Sequence, residues 1–101
     1  MAEEPKPDTP LSLQSRVVLS RDQVSCDLAG EAAIVNLQNG VYYGLDPIGA
    51  RVWNLMREPV TLAYLVDRLL EDYAVDRLTL EADMRRFLRQ LADQGLVEIT
   101  A

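Results

Sequence analysis

Few groups in this chain are able to do chemistry, and their spacing limits what that chemistry could be. Cys26 is the one cysteine, and histidine is absent. This removes any Ser-His-Asp or Cys-His pair and the commonest zinc ligand. A lone thiol closes no internal disulfide and builds no Cys-rich metal site. To act as a nucleophile, Cys26 would need a helix terminus or an arginine beside it. The adjacent carboxylates Glu71 and Asp72 fall on one helical segment, where sequence neighbours diverge and do not address one reacting centre. Glu81, Asp83, Arg85, Arg86, Arg89 and Asp93 lie on another. As a recognition helix, its arginines would meet phosphates or guanine edges. However, Glu81 with Arg85 and Arg89 with Asp93 stand at i,i+4, the spacing of ion pairs on a solvated face. A net charge of −6 also opposes nucleic acid binding.

The most informative run carries no reactive side chain. Val41-Tyr42-Tyr43-Gly44-Leu45 reads as a strand with neither charge nor proline. As the last strand of a sheet it would leave free N–H and C=O groups, an edge that proteins usually block with lysine, proline or a bulge. Left open, such an edge invites an added strand from a partner peptide.

The frame that positions this run is small. A chain of 101 residues fits one domain, able to bury about 60–68% of its unfolded surface. Apolar residues make up 49% and charged residues 26%, an ordinary globular balance. No apolar run approaches the roughly 20 residues of a membrane span, and the N-terminus lacks a signal-peptide pattern. The expected location is the cytoplasm, with which a free cysteine agrees. No cofactor motif is present and no cofactor is expected. Residues 1–12 read as a disordered tail, with Pro5, Pro7 and Pro10 set among Glu3, Glu4 and Asp8. Residues 13–101 form the expected domain.

A first strand is expected around Arg16 to Leu19, followed by a loop from Asp22 to Gly30 that carries Cys26. Glu31–Leu37 and Val41–Leu45 flank Asn39-Gly40, the signature of a two-residue type I′ hairpin. That loop would pair Gln38 with Val41, Leu37 with Tyr42, Asn36 with Tyr43 and Val35 with Gly44. One face would then carry Ala33, Val35, Leu37, Tyr42 and Gly44, and the other Ile34, Asn36, Val41, Tyr43 and Leu45. Neither face is clearly polar, so cover is expected on both.

Three helices follow. Asp46 is suited to N-cap the first, with Pro47 at N1, and Ile48, Val52, Leu55 and Met56 form its apolar stripe. Thr61 caps the second, with Val60 placed to staple onto Leu65. Its stripe is Leu62, Leu65, Val66, Leu69, Leu70 and Tyr73. The third is expected to begin near Thr79 and to end before Gly95, a C′ residue, with a stripe of Leu80, Met84, Phe87, Leu88 and Leu91. Leu96–Ile99 reads as a short extended piece. Strand, hairpin and three helices indicate an α+β domain. The helices and final strand have the outline of a winged helix-turn-helix.

Two stretches carry a family resemblance. Tyr42-Tyr43-Gly44-Leu45-Asp46 through Trp53, Thr61 at a helix start, and Leu80 through Val97 together resemble the PqqD-like proteins. These are precursor-peptide recognition elements for ribosomally made, modified peptides. The pattern "YY-x-L-(N/D)-x-x-G-x-x-(I/V)-W" is met from Tyr42 to Trp53. The closing "L-x-x-D-(V/M)-x-x-F-L-x-x-L-x-x-x-G-L-(V/I)" is met from Leu80 to Val97. The resemblance implies a three-stranded antiparallel sheet packed on a three-helix, winged-helix-like bundle. It implies a non-catalytic protein that binds the leader of a precursor peptide for a partner leader peptidase or modifying enzyme. The leader would add to the third strand, here Val41, Tyr42, Tyr43, Gly44 and Leu45, and reach Asp83, Arg86, Phe87 and Gln90 on the third helix. Two homes fit a stand-alone chain: a lasso peptide cluster, or the quinone-cofactor pathway, where the peptide goes to a radical S-adenosylmethionine enzyme. The tail and the strand around Tyr42 look more like the lasso proteins, whose leaders carry a Tyr-x-x-Pro-x-Leu stretch. The expected oligomeric state is monomer or weak dimer.

Overall fold

The computed structural model describes residues 11–100. The elements run β1 (Arg16–Leu19), β2 (Gln23–Leu28), β3 (Glu31–Asn36), β4 (Tyr42–Leu45), α1 (Pro47–Leu55), β5 (Val60–Thr61), α2 (Leu62–Asp72), α3 (Arg77–Asp93) and β6 (Val97–Thr100). The α+β class holds, with three helices and antiparallel strands.

The strands divide into two sheets, ordered β5-β1-β6 and β2-β3-β4. The first strand therefore does not join the hairpin. β1 pairs Arg16 with Thr100 and Leu19 with Val97, closing the two ends of the chain together. The segment expected as a loop from Asp22 to Gly30 supplies the missing strand. β2 pairs with β3 from Gln23↔Asn36 to Leu28↔Glu31, leaving Ala29-Gly30 as a two-residue turn. Both turn residues have positive φ, 53° and 90°, the requirement of a type I′ connection.

Asn39-Gly40 makes a different turn from the one expected. β3 and β4 pair as Val35↔Tyr42, Ile34↔Tyr43, Ala33↔Gly44 and Ala32↔Leu45, two residues away from the expected pairing. Gly40 alone in this loop has positive φ, 72°. The Asn36 N–H bonds the Val41 carbonyl, and the Gly40 N–H bonds the Asn36 carbonyl, so four residues span the turn. The Asn36 Oδ1 accepts from the Gln38 N–H at 2.8 Å and the Asn39 Oδ1 from the Val41 N–H at 2.9 Å. These side-chain acceptors stabilise the longer loop. A slip by an even number leaves every residue on its face, so the expected division between faces survives.

Local chemistry accounts for the helix ends. The Asp46 carboxylate accepts from the Gly49 N–H at 2.7 Å and caps α1 behind Pro47. The Thr61 hydroxyl accepts from the Tyr64 N–H and caps α2. α3 begins two residues before Thr79, because Asp76 takes the N-cap and accepts from the Thr79 N–H. Gly95, at φ 75°, follows the C-cap Gln94.

Val52, Trp53, Met56, Leu62, Leu65, Val66, Leu69 and Leu88 are buried in one core with Val17, Ile34 and Leu96. Ile48, expected in the α1 stripe, faces solvent; Gly49, Ala50, Val52 and Trp53 turn inward instead. Glu81, expected on a solvated face, is buried, held between Arg77 at 3.0 Å and Arg85 at 3.7 Å. Arg77 also reaches Asp67 and so ties α3 to α2. The Asp67 hydrogen bond, assisted by Glu81, raises the Arg77 pKa above its ordinary value. Residues 1–10 of the expected tail lie outside the described residues. Leu11 and Ser12 do not behave as tail: Leu11 is buried, and its carbonyl accepts from Arg85 Nε at 2.8 Å.

Candidate functional site

Among the described residues, β4 lies at the end of its sheet and pairs with β3 alone. The Asn36–Val41 bond fixes the phase of the ladder. By antiparallel alternation, Tyr43 and Leu45 then direct their backbone groups at β3, while Tyr42 and Gly44 direct theirs outward. The edge thus offers two N–H donors and two C=O acceptors. Neither charge nor proline blocks it.

Beside this edge runs a groove of about 430 Å³, lined by Tyr43, Gly44, Leu45, Asp46, Phe87, Gln90, Leu91, Gln94 and Leu96. Its floor is apolar and its rim carries one carboxylate and two amides. On α3, Asp83, Phe87, Gln90 and Gln94 follow one flank at spacings of four, three and four residues, the helical repeat. That flank faces β4. Gly49 lets α1 approach: a Cβ there would lie 3.4 Å from Phe87 and from Leu45, and 3.2 Å from Asp46 Oδ1.

One corner holds strand and helix together. The Tyr43 hydroxyl donates to Gln94 Oε1 at 2.7 Å. Buried Asn36 donates from Nδ2 to the Gln94 carbonyl at 2.8 Å. Gly95 leaves room for that amide, since a Cβ would lie 3.2 Å from Asn36 Nδ2.

The residues singled out from sequence are therefore only partly brought together. Tyr43, Gly44, Leu45, Phe87 and Gln90 line the groove. Tyr42 contributes backbone to the edge, but its ring lies on the opposite face. Val41 precedes the strand and does not line the groove. Asp83 sits one turn before Phe87 and accepts from Arg86 at 3.2 Å, both side chains in solvent; neither lines the groove. Asp46, Leu91, Gln94 and Leu96 were not singled out. Gln94 was discoverable in principle, because it extends the Asp83-Phe87-Gln90 flank by one turn. A larger hollow of about 540 Å³ runs from Asn54 to Tyr64, but the strand beside it, β5, has two residues. Among the described residues, no cluster of His, Cys, Asp or Glu could hold a metal ion. No described helix is long and apolar enough to cross a membrane.

An open strand edge beside a groove floored by a helix defines a peptide-binding architecture. The chain belongs to the PqqD family, described as coenzyme PQQ synthesis protein D, which matches residues 31–97. Among solved structures it is similar to TbiB1 in complex with the TbiA(beta) leader peptide. The two are 40% identical, with a TM-score of 0.79 over 83% of this chain and 98% of that one. It also shares the fold of lasso peptide synthetase B1 complexed with its leader peptide. There the identity is 17% and the TM-score 0.73, over 81% of this chain and 96% of that one. No curated protein matches the chain.

Proposed function

We propose that this protein binds the leader region of a ribosomally made precursor peptide, as a strand added to β4 with side chains in the groove against α3. It then delivers that peptide to a leader peptidase or other modifying enzyme and performs no catalysis itself. The observation that carries the reading is the uncharged free edge beside the Tyr43–Phe87 groove. The likeness to TbiB1, whose structure holds a leader peptide, supports it. The peptide we place here is a lasso precursor. The family's description, a coenzyme PQQ synthesis protein, favours a second reading: a peptide chaperone for a radical S-adenosylmethionine enzyme of the quinone pathway.

The energetics suit a carrier. Four backbone hydrogen bonds contribute roughly 0.5–1.5 kcal/mol each, and two or three buried anchors about 1.5–3 kcal/mol each. Ordering a flexible peptide and losing its free motion cost several kcal/mol. The balance can reach micromolar or better. Asp46 at the rim and the net charge of −6 suit a leader carrying lysine or arginine. A DNA-binding reading is disfavoured, since Arg77, Arg85 and Arg86 on α3 are each paired with a carboxylate.

The test is fluorescence anisotropy of a labelled TbiA(beta) leader peptide titrated with this chain, against a scrambled peptide and a DNA duplex. Saturable binding of the leader alone is expected. No binding of that leader by folded protein would overturn the reading.

A further inference from the structure

The β2-β3-β4 sheet has a second face, turned away from the helices. Directly paired residues share a face, so the register places Val24, Cys26 and Leu28 of β2 with Val35, Ala33 and Tyr42 on it. Val24 is 56% exposed, Leu28 50% and Tyr42 63%, and Cys26 is exposed as well. The only charged strand residue on this face is Glu31, at its end. The helix-facing residues of β2 are Gln23, Ser25 and Asp27. Its alternation is therefore inverted, polar toward the helices and apolar toward water, whereas a sheet covered on one side normally shows the reverse.

We infer that this outer face packs against the same face of a second copy of the chain, as an isologous pair of three-stranded sheets. Two observations favour a copy as the occupant. The first is charge. The chain carries −6 overall, yet the body of this face is neutral, so two copies meet there without opposing like charges. The second is area. The exposed side chains form a patch of about 500 Å², near the top of the range for a monomer. Two such patches bury about 1,000 Å² in total, the least that a specific interface requires. The dimer is accordingly weak and set by concentration. The groove opens on the other face, so the pair keeps both grooves accessible. The inference stands apart from leader binding, and either can fail without the other.

Analytical ultracentrifugation from about 1 μM to 1 mM tests it by mass action. The expected weight-average mass climbs from 11.3 kDa toward twice that value. Val24→Asp and Val24→Lys, each folded by circular dichroism, stay monomeric. Cys26, midway along β2 on this face, reacts more slowly with a thiol reagent as concentration rises. Leader anisotropy, read in parallel on both variants, is unchanged. A single-chain mass at every concentration would overturn the inference. A dimer that persists in both variants with Cys26 still fully reactive would also overturn it, because that pattern belongs to edge-to-edge pairing.

Discussion

Tyr43 and Gln94 meet across the closed corner of the groove, the phenol donating to Oε1 at 2.7 Å. They stand 51 residues apart in sequence, one on the edge strand and the other at the C-cap of α3. With Asn36 bonded to the Gln94 carbonyl, they set the distance between the strand and the helix that face each other over the groove. Tyr43→Phe removes one hydrogen bond at a partly exposed site, so urea unfolding should show a loss of about 0.5–1 kcal/mol. The ring stays on the groove floor, and leader affinity should change less than about threefold, the equivalent of one weak hydrogen bond.

Asn36→Ala should cost more. Asn36 is buried and serves two partners, the Gln94 carbonyl and the Gln38 N–H. Losing it strands both, at about 1–3 kcal/mol. The same unfolding experiment reads it, and a loss no larger than that of Tyr43→Phe would refute the role given to this corner.

The phase of the edge gives a sharper contrast. Proline at Gly44 removes an N–H directed outward, and proline at Leu45 removes one bonded to β3. Gly44→Pro should therefore weaken leader binding about tenfold, roughly one hydrogen bond plus a steric cost, while leaving most of the stability. Leu45→Pro should chiefly destabilise the fold, since it breaks a ladder bond. The reverse pattern would mean the strand presents the other pair of residues.

Phe87→Ala should weaken leader binding about ten- to a hundredfold, the worth of one buried aromatic anchor. Asp83→Ala lies outside the groove, and its partner Arg86 is in solvent. It should change neither affinity nor stability by more than about 0.5 kcal/mol. Calorimetric titration of both variants with one leader peptide separates the two positions.

Gly49→Ala tests the packing behind the groove. Alanine raises helix propensity by about 1 kcal/mol, but its Cβ would crowd Phe87, Leu45 and Asp46. Melting temperature should move little, while leader affinity falls as Phe87 is pushed into the groove. An unchanged affinity would show that Phe87 can yield without narrowing the site.

Local signals were legible in the sequence, and distant ones were not. Asp46, Thr61 and Gly95 announced helix ends because a cap acts within three or four residues. The third helix, expected to begin near Thr79, begins at Arg77 because Asp76 takes the N-cap. Pairing of β1 with β6 joins residues near opposite ends of the chain, and nothing near Arg16 encodes it. β2 was missed because its apolar alternation faces water and its turn uses Ala29, a residue seldom found at positive φ. Asn39-Gly40 was a strong hairpin signal with the wrong loop length, because Asn36 and Asn39 act as backbone acceptors. Phe87 and Gln90 could be placed from helical spacing. Which flank faced the strand depended on a crossing that only the tertiary packing sets.

The outward phase of Tyr42 and Gly44 also divides whatever strand lies against them. Alternate residues of a strand face opposite sides, so the groove can inspect only every second position of a bound peptide. The intervening positions turn to the outer face, beside Tyr42, beyond the reach of the groove. A precursor read in this way has room for a second, interleaved message, addressed to a different reader and able to evolve without loosening the first.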